Sequence, residues 1–374
     1  MDAVSGYDAV DALVRRIFFV EDLTYGTEKQ EYILRYRGRL AESDSAAAYD
    51  RLAAGLAPLG YIPLFRNEEG RHAILIVNKP PAPQASNPRI NLVLFILTAA
   101  SVLVSGAMYG MDQTLPQGFW AAAGALIARG WPFAVALIAI LGAHELGHYF
   151  AGRRHGVHVT LPYFIPLPFS PFGTMGAFIN MKEVPKNKRV LLDIGISGPL
   201  AGLAVTLPVL LLGLSLSRLE PLPGPEAALV GGTLEGNSIL YLGMKYLVFG
   251  QLLPAPASTG DLPAVLYWLR YFFTGTPLPL GGLDVMLHPV AWAGWAGLLV
   301  TSLNLIPAGQ LDGGHVMYVL FGKQRLRRWL PFVLAALVIL GFFWTGWYLW
   351  AAIIFFLGRA YAEPLDQITE LDPA

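Results

Sequence analysis

The chain contains no cysteine in 374 residues. Disulfides, cysteine-ligated zinc, iron–sulfur clusters and thiol catalysis are excluded on that ground alone. Charge is also scarce. Lys, Arg, Asp and Glu make up 14% of the residues, against roughly 25% in an average soluble protein. The signs balance at 26 each, so nothing in the net charge favours nucleic acid as a partner. Apolar residues take the place of charge, at 55% of the chain with a mean hydropathy of +0.50. This composition belongs to a membrane protein rather than to two or three ordinary soluble domains.

The few charges are unevenly spread. Residues 1–89 hold 23 of the 52, and the other 285 residues share 29. The first segment therefore reads as a soluble α/β domain (1–79). A proline-rich linker (80–89) follows it. The start, MDAVSGYDAVDALVRR, has no apolar signal core, so this domain is expected to stay where it is made. Tyr32–Leu40 reads as a strand, and Ser43 or Asp44 as the cap of a helix through Leu56. Tyr61–Phe65 and Ala73–Val77 read as a hairpin around Asn67–Gly70. A helix over Val10–Phe19 is the further expectation.

Beyond Arg89 come six apolar runs: Asn91–Tyr109, Trp131–Phe150, Val190–Leu214, Val285–Ile306, Leu330–Phe343 and Trp344–Leu357. Several approach the roughly 20 residues of a spanning helix. A weaker stretch, Phe119–Ile127, is expected to lie along the interface. Arg89, Arg153, Arg154, Lys182, Lys186, Lys188, Arg189, Lys323, Arg325, Arg327 and Arg328 all fall on one side of such a body. The loop Ser215–Asp284 on the other side has only Arg218, Lys245 and Arg270. This pattern predicts cytoplasmic N- and C-termini. Within that outer loop, Ile239–Phe249 and Leu262–Phe273 read as interfacial or gate helices. Val159–Asn180, with Pro162, Pro166, Pro168 and Pro171, is too apolar for a loop and too rich in proline for a helix. It reads as a re-entrant hairpin ending in an edge strand near Gly173–Ile179, able to pair with an unwound segment of another chain, or as a membrane-dipping element that serves packing only. The fold expected is thus a multi-pass α-helical membrane protein of about six transmembrane helices with a re-entrant β-hairpin, plus a small N-terminal cytoplasmic α/β domain. Its core is 90–321, and 322–374 adds the C-terminal helices and tail.

The second run ends in His144-Glu145-Leu146-Gly147-His148. Residues four apart share a helix face, so His144 and His148 can hold one ion with Glu145 beside it as general base. Two histidines and a glutamate are costly in an apolar helix unless they serve a purpose. Zinc needs a third ligand and an open position. Asp312, in Asn304-Leu-Ile-Pro-Ala-Gly-Gln-Leu-Asp-Gly-Gly-His315, lies at the same expected depth; His315 is the runner-up. Zinc there would lower the pKa of a water and polarise a carbonyl. Glu145 would carry the proton to the leaving amine. Asn304 would donate to an oxyanion or to the substrate backbone, or serve as a helix-packing amide. Ser197-Gly198-Pro199 reads as a packing surface near the metal helix.

These motifs, HExGH in a span and NxxPxxxLDGG further on, resemble those of the site-2 proteases, the intramembrane zinc metalloproteases, over about residues 90–321. The resemblance implies Zn²⁺ held by His144, His148 and Asp312, Glu145 as catalytic residue, and Asn304 as a catalytic positioning or oxyanion residue. It also implies single-pass transmembrane protein substrates in a lipid bilayer, cut in regulated intramembrane proteolysis after an upstream protease. No segment reads as a PDZ domain. GTMGAF (Gly173–Phe178) and the N-terminal domain are more similar to the PDZ-free branch of cyanobacteria and chloroplasts. With no transit peptide evident, a prokaryotic cell membrane is the expected location. A metal or ion transporter, or an inactive membrane-protein-binding homologue, is the alternative. The first is disfavoured by the absence of an internal repeat, the second by the complete His–His–Asp–Glu set.

Overall fold

The computed structural model describes residues 3–27, 29–68, 70–109, 115–222, 235–276 and 278–371. Its first part is α1 (Ala3–Arg15), β1 (Phe18–Tyr25), β2 (Leu34–Leu40), α2 (Ser45–Leu56), β3 (Tyr61–Glu68) and β4 (Arg71–Asn78). The strands form one sheet in the order β1-β2-β4-β3, each pair antiparallel. Alternation turns Leu34, Tyr36, Ile74 and Ile76 to one face, where they close a core with Val10, Val14, Leu52 and Leu56. The α2 helix starts where the Asp44 carboxylate accepts the Ala47 N–H at 3.0 Å, a side-chain cap for an otherwise orphan donor. The expected helix over Val10–Phe19 is corrected: α1 stops at Arg15, and Phe18 opens β1. Phe18, Phe19 and Val20 are aromatic and β-branched, and they pair with Leu40, Arg39 and Gly38 of β2. The tip of the β3–β4 hairpin includes residue 69, outside the described residues.

The body begins with α3 (Pro88–Met108), α4 (Phe119–Arg154) and α5 (Lys188–Ser215). By length and composition these three are long and apolar enough to cross a membrane. On α3, Ile90, Leu92, Val93 and Ile96 are each 52–59% exposed, an outward apolar face suited to lipid. Asn87 and Asn187 cap α3 and α5 through their side chains. The stretch Phe119–Ile127 is helical and forms the first part of the continuous 36-residue α4.

Between and after these come β5 (Tyr163–Pro166), β6 (Thr174–Phe178), β7 (Arg218–Pro221), α6 (Ile239–Phe249), α7 (Ala264–Thr274), β8 (Leu283–Met286), α8 (Pro289–Asn304), α9 (Asp312–Gly341) and α10 (Gly346–Leu357). The expected run Val285–Ile306 is shorter as a helix. Val285 belongs to β8, antiparallel to β7, and α8 has 16 residues. The run at Leu330 is the second half of α9, which is broken at Gly322 (φ 77°, ψ 163°). The last two runs are separate helices, α9 and α10. Part of the outer loop, residues 223–234 and 277, lies outside the described residues. Where that loop is described, Lys245 is fully buried, with Glu235 and Asp284 at 3.6 and 3.8 Å. This polar knot ties α6 to β8.

The prolines of Val159–Asn180 do keep it out of helix. β5 and β6 pair antiparallel, with Tyr163 opposite Phe178 and Ile165 opposite Gly176. Thr174 fixes the turn by donating to the Ile165 carbonyl at 2.8 Å. Ser101 on α3 donates to the Gly173 carbonyl at 2.6 Å, which anchors the pair to the helical body.

Candidate metal centre

Three helices deliver the site. His144, Glu145 and His148 are buried on one stretch of α4, packed along α5. Close approach is needed there, and glycine provides it. A Cβ at Gly198 of α5 would stand 2.0 Å from His148 Nε2, and one at Gly202 would stand 3.1 Å from His144 Nδ1. The Ser197-Gly198-Pro199 surface thus makes room for the imidazoles themselves.

Asp312 opens α9 after a tight loop from Leu305. Gly309 in that loop has φ +55°, and its N–H donates to the Gly358 carbonyl at the end of α10 at 3.1 Å. Only glycine adopts that backbone readily. A Cβ would also meet the Leu357 oxygen at 2.6 Å. The end of α10 therefore helps set where Asp312 stands.

The three side chains converge. Asp312 Oδ2 lies 3.1 Å from His144 Nε2, and Oδ1 lies 3.1 Å from His148 Nε2. The two Nε2 atoms are 3.3 Å apart. Among the described residues this is the group of His, Asp or Glu side chains whose ligand atoms could share one metal ion. The tautomer of His148 points to a cation. Its Nδ1 donates to the Ile194 carbonyl at 2.7 Å, so in a neutral ring Nε2 carries a bare lone pair. That lone pair faces a carboxylate and another imidazole, an arrangement of acceptors that a positive ion resolves. Ligands about 2.0–2.1 Å from a tetrahedral zinc stand about 3.3 Å from one another, which fits the separations here.

Of the other expected residues, Asn304 ends α8 with Nδ2 3.2 Å from His144 Nε2. It lines the same cleft, so its amide meets the ring as well as the open space. His315 is buried and lines the cleft but lies outside the converging group. His155 pairs with Asp193 at 2.9 Å and His158 with Glu183 at 2.7 Å. Burial pushes the Glu183 carboxyl up, but hydrogen bonds from the His158 side chain and backbone hold it below the ordinary carboxylate value. His72 accepts from the Leu40 N–H at 3.4 Å, and His288 caps α8.

The cleft has a volume of about 510 Å³. Residues 177–185, which follow the middle of β6, form part of its wall beside Glu145. Tyr361, Ala362 and Glu363 form another part. Neither composition nor any sequence motif marks these C-terminal residues as part of the site.

An apolar helical body in which two buried histidines and a half-buried aspartate converge beside a glutamate defines a candidate metalloenzyme of membrane type. Residues 132–344 match Peptidase family M50, and the chain belongs to that family. The chain is 31% identical over 246 residues to the probable zinc metalloprotease EGY2, chloroplastic, of Oryza sativa subsp. indica, which covers 66% of this chain and 39% of that protein. It is 28% identical over 299 residues to the probable zinc metalloprotease EGY1, chloroplastic, of Arabidopsis thaliana, covering 75% and 49%. The chain therefore matches 39–49% of the length of these curated relatives. No solved structure matches it.

Proposed function

We propose that the protein is an intramembrane zinc endopeptidase that hydrolyses peptide bonds within or near the transmembrane segments of membrane proteins. The convergence of His144 Nε2, His148 Nε2 and the Asp312 carboxylate, within 3.1–3.3 Å of one another, carries the reading. Membership of the M50 family and the names of the relatives support it. His144, His148 and Asp312 are the ligands. When bound, zinc supplies Lewis-acid polarisation of the scissile carbonyl and lowers the pKa of the attacking water.

The chain's own groups do the rest. Ile194 holds the His148 ring in the tautomer that leaves Nε2 free. Glu145 accepts the proton of the attacking water at its carboxylate and delivers it to the leaving amine. The Asn304 amide donates to the developing oxyanion or holds the substrate backbone. Burial keeps bulk water from competing with these hydrogen bonds.

The remaining architecture is read the same way. The body crosses the membrane six times, with both termini cytoplasmic, as the basic residues at 153–154, 182–189 and 323–328 favour. The domains run 1–79, 80–89, 90–321 and 322–374. The β5–β6 pair is re-entrant, and the outer edge of β6 receives an unwound substrate segment by strand addition. This exposes the scissile carbonyl that a helix would hide. Single-pass proteins already cut by an upstream protease are the substrates, and a prokaryotic cell membrane is the location. The relatives above are named as chloroplast proteins.

The test is hydrolysis in a bilayer. Protein reconstituted in liposomes with a single-pass reporter is expected to give two products whose masses locate one cut in or near the span. Chelation should stop the cut and added zinc should restore it. A transporter or an inactive homologue would yield no new peptide terminus.

A further inference from the structure

Residues 358–371, which follow α10, are not a loose tail. They lie between the sheet of the N-terminal part and the start of α5. On one side, the Phe65 N–H donates to the Leu365 carbonyl at 2.9 Å and the Gln367 N–H to the Phe65 carbonyl at 3.0 Å. These bonds extend the free edge of β3 in parallel pairing. On the other side, the Leu365 N–H donates to the Pro185 carbonyl at 3.0 Å and the Asp366 N–H to the Lys186 carbonyl at 2.7 Å. The segment thus bridges two parts of the chain, residues 65 and 185–187, through main-chain bonds.

Side chains lock it further. Asp366 is fully buried and accepts from the Ile368 and Thr369 amides at 2.9 and 3.1 Å. Arg66 donates to the Pro364 and Leu365 carbonyls at 3.1 and 2.8 Å. Leu365 and Ile368 pack onto the apolar core of the N-terminal sheet. Just before this strap, Tyr361, Ala362 and Glu363 line the cleft that holds His144, Glu145 and His148. Tyr361 stacks on Tyr318 of α9, and Glu363 is held by Lys323 and Gln367.

We propose that residues 361–363 are a substrate-contacting wall of the catalytic cleft, held in place by the N-terminal domain through the strap 364–369, and that this wall stays docked during turnover. The proposal rests on the protease reading above. The N-terminal domain then serves as the abutment for a piece of the active site. A substrate backbone reaching Glu145 passes Ala362 on its way through the same cleft.

The absence of cysteine makes the test clean. A single Ala362→Cys variant, loaded with zinc, is alkylated with a bulky maleimide with and without a dipeptide hydroxamate whose binding is checked by calorimetry. The hydroxamate is expected to slow alkylation at least tenfold. The alkylated protein is expected to lose at least tenfold in kcat/KM on the single-pass reporter with its zinc content unchanged. In a second variant, Ser45→Cys with Thr369→Cys, the hydroxyl oxygens replaced lie 2.9 Å apart, so oxidation pins the strap to α2. Cleavage by the oxidised form is expected to stay within twofold of the reduced form. Hydroxamate bound without protecting position 362 would overturn the wall. An oxidised form that is inactive until reductant is added would overturn the claim that the strap stays docked. If the wild-type protein cut nothing while protection at position 362 held, the protease reading would fail and the placement of the wall would stand.

Discussion

Gly198 and His148 share one space: a Cβ on the glycine would lie 2.0 Å from Nε2 of the ring. The ring cannot simply swing aside, because its Nδ1 is tied to the Ile194 carbonyl at 2.7 Å. A methyl at 198 must therefore move the atom proposed to bind zinc, or break the bond that sets its tautomer. Loss of support of this kind typically costs about 10–100-fold in metal affinity. Gly198→Ala is expected to fall in that range by competition with a zinc-binding dye. Gly243→Ala, at a helical position with nothing within 4 Å of the new Cβ, should leave zinc affinity unchanged.

Asp312 and His315 compete for the role of third ligand, and their variants separate the two. Asp312 stands 3.1 Å from both histidine nitrogens, whereas His315 is outside the converging group. Asp312→Ala is expected to bring zinc stoichiometry in the purified protein well below one, and His315→Ala to keep it near one. Emission spectrometry on protein washed free of loose metal checks both. The reverse pattern would transfer the ligand role to His315.

In the outer loop, Lys245 is buried with Glu235 and Asp284 on either side. Its ring neighbour is Tyr241, 4.6 Å away. Lys245→Met removes the cation and leaves two carboxylates in a dry place. Breaking a buried ion pair on one side costs about 3–5 kcal/mol. The expected result is a large fall in the thermal unfolding midpoint. The triple replacement Lys245→Met, Glu235→Gln, Asp284→Asn should recover much of it, since no uncompensated charge then remains.

Glu363 ties the C-terminal wall to acid stability. Burial pushes its carboxyl up, but the Lys323 hydrogen bond and charge, with Gln367 and Arg66, hold it below its ordinary value. A carboxyl depressed in the folded state stabilises it above the unfolded pKa, and loses that contribution as pH falls through the folded one. The thermal advantage of wild type over Glu363→Gln is therefore expected to be constant from pH 8 to 6. It should shrink as pH drops below the ordinary carboxylate range. Paired melting curves across that series check it. An advantage independent of acid would mean that Glu363 acts only through packing.

Much of the centre was legible in the sequence because its logic is local. His144 and His148 are one helical turn apart, and Asp312 stands in a glycine-flanked motif at the end of an apolar run. The capped helix after Asp44 and the strands around Ile74 announced themselves by the same short-range chemistry. The split between α1 and β1 did not, because the helical pattern of Val10 and Val14 ran on into Phe18, which only its pairing with Leu40 makes a strand. The partner of Gly198 was hidden too: small residues signal close approach without naming what approaches. The strap was least legible of all. Arg66 and Leu365 are 299 residues apart, and nothing in either segment's composition points to the other.

That Glu145 moves the proton in a zinc-dependent peptide hydrolysis is put at risk most directly by Glu145→Gln. The measurement is the cleavage rate of a single-pass reporter in liposomes, with zinc content determined on the same samples. The expected result is zinc equal to wild type and a rate lower by about 10²–10⁴-fold, the usual contribution of a general base. Undiminished cleavage by Glu145→Gln at equal zinc content would contradict that role.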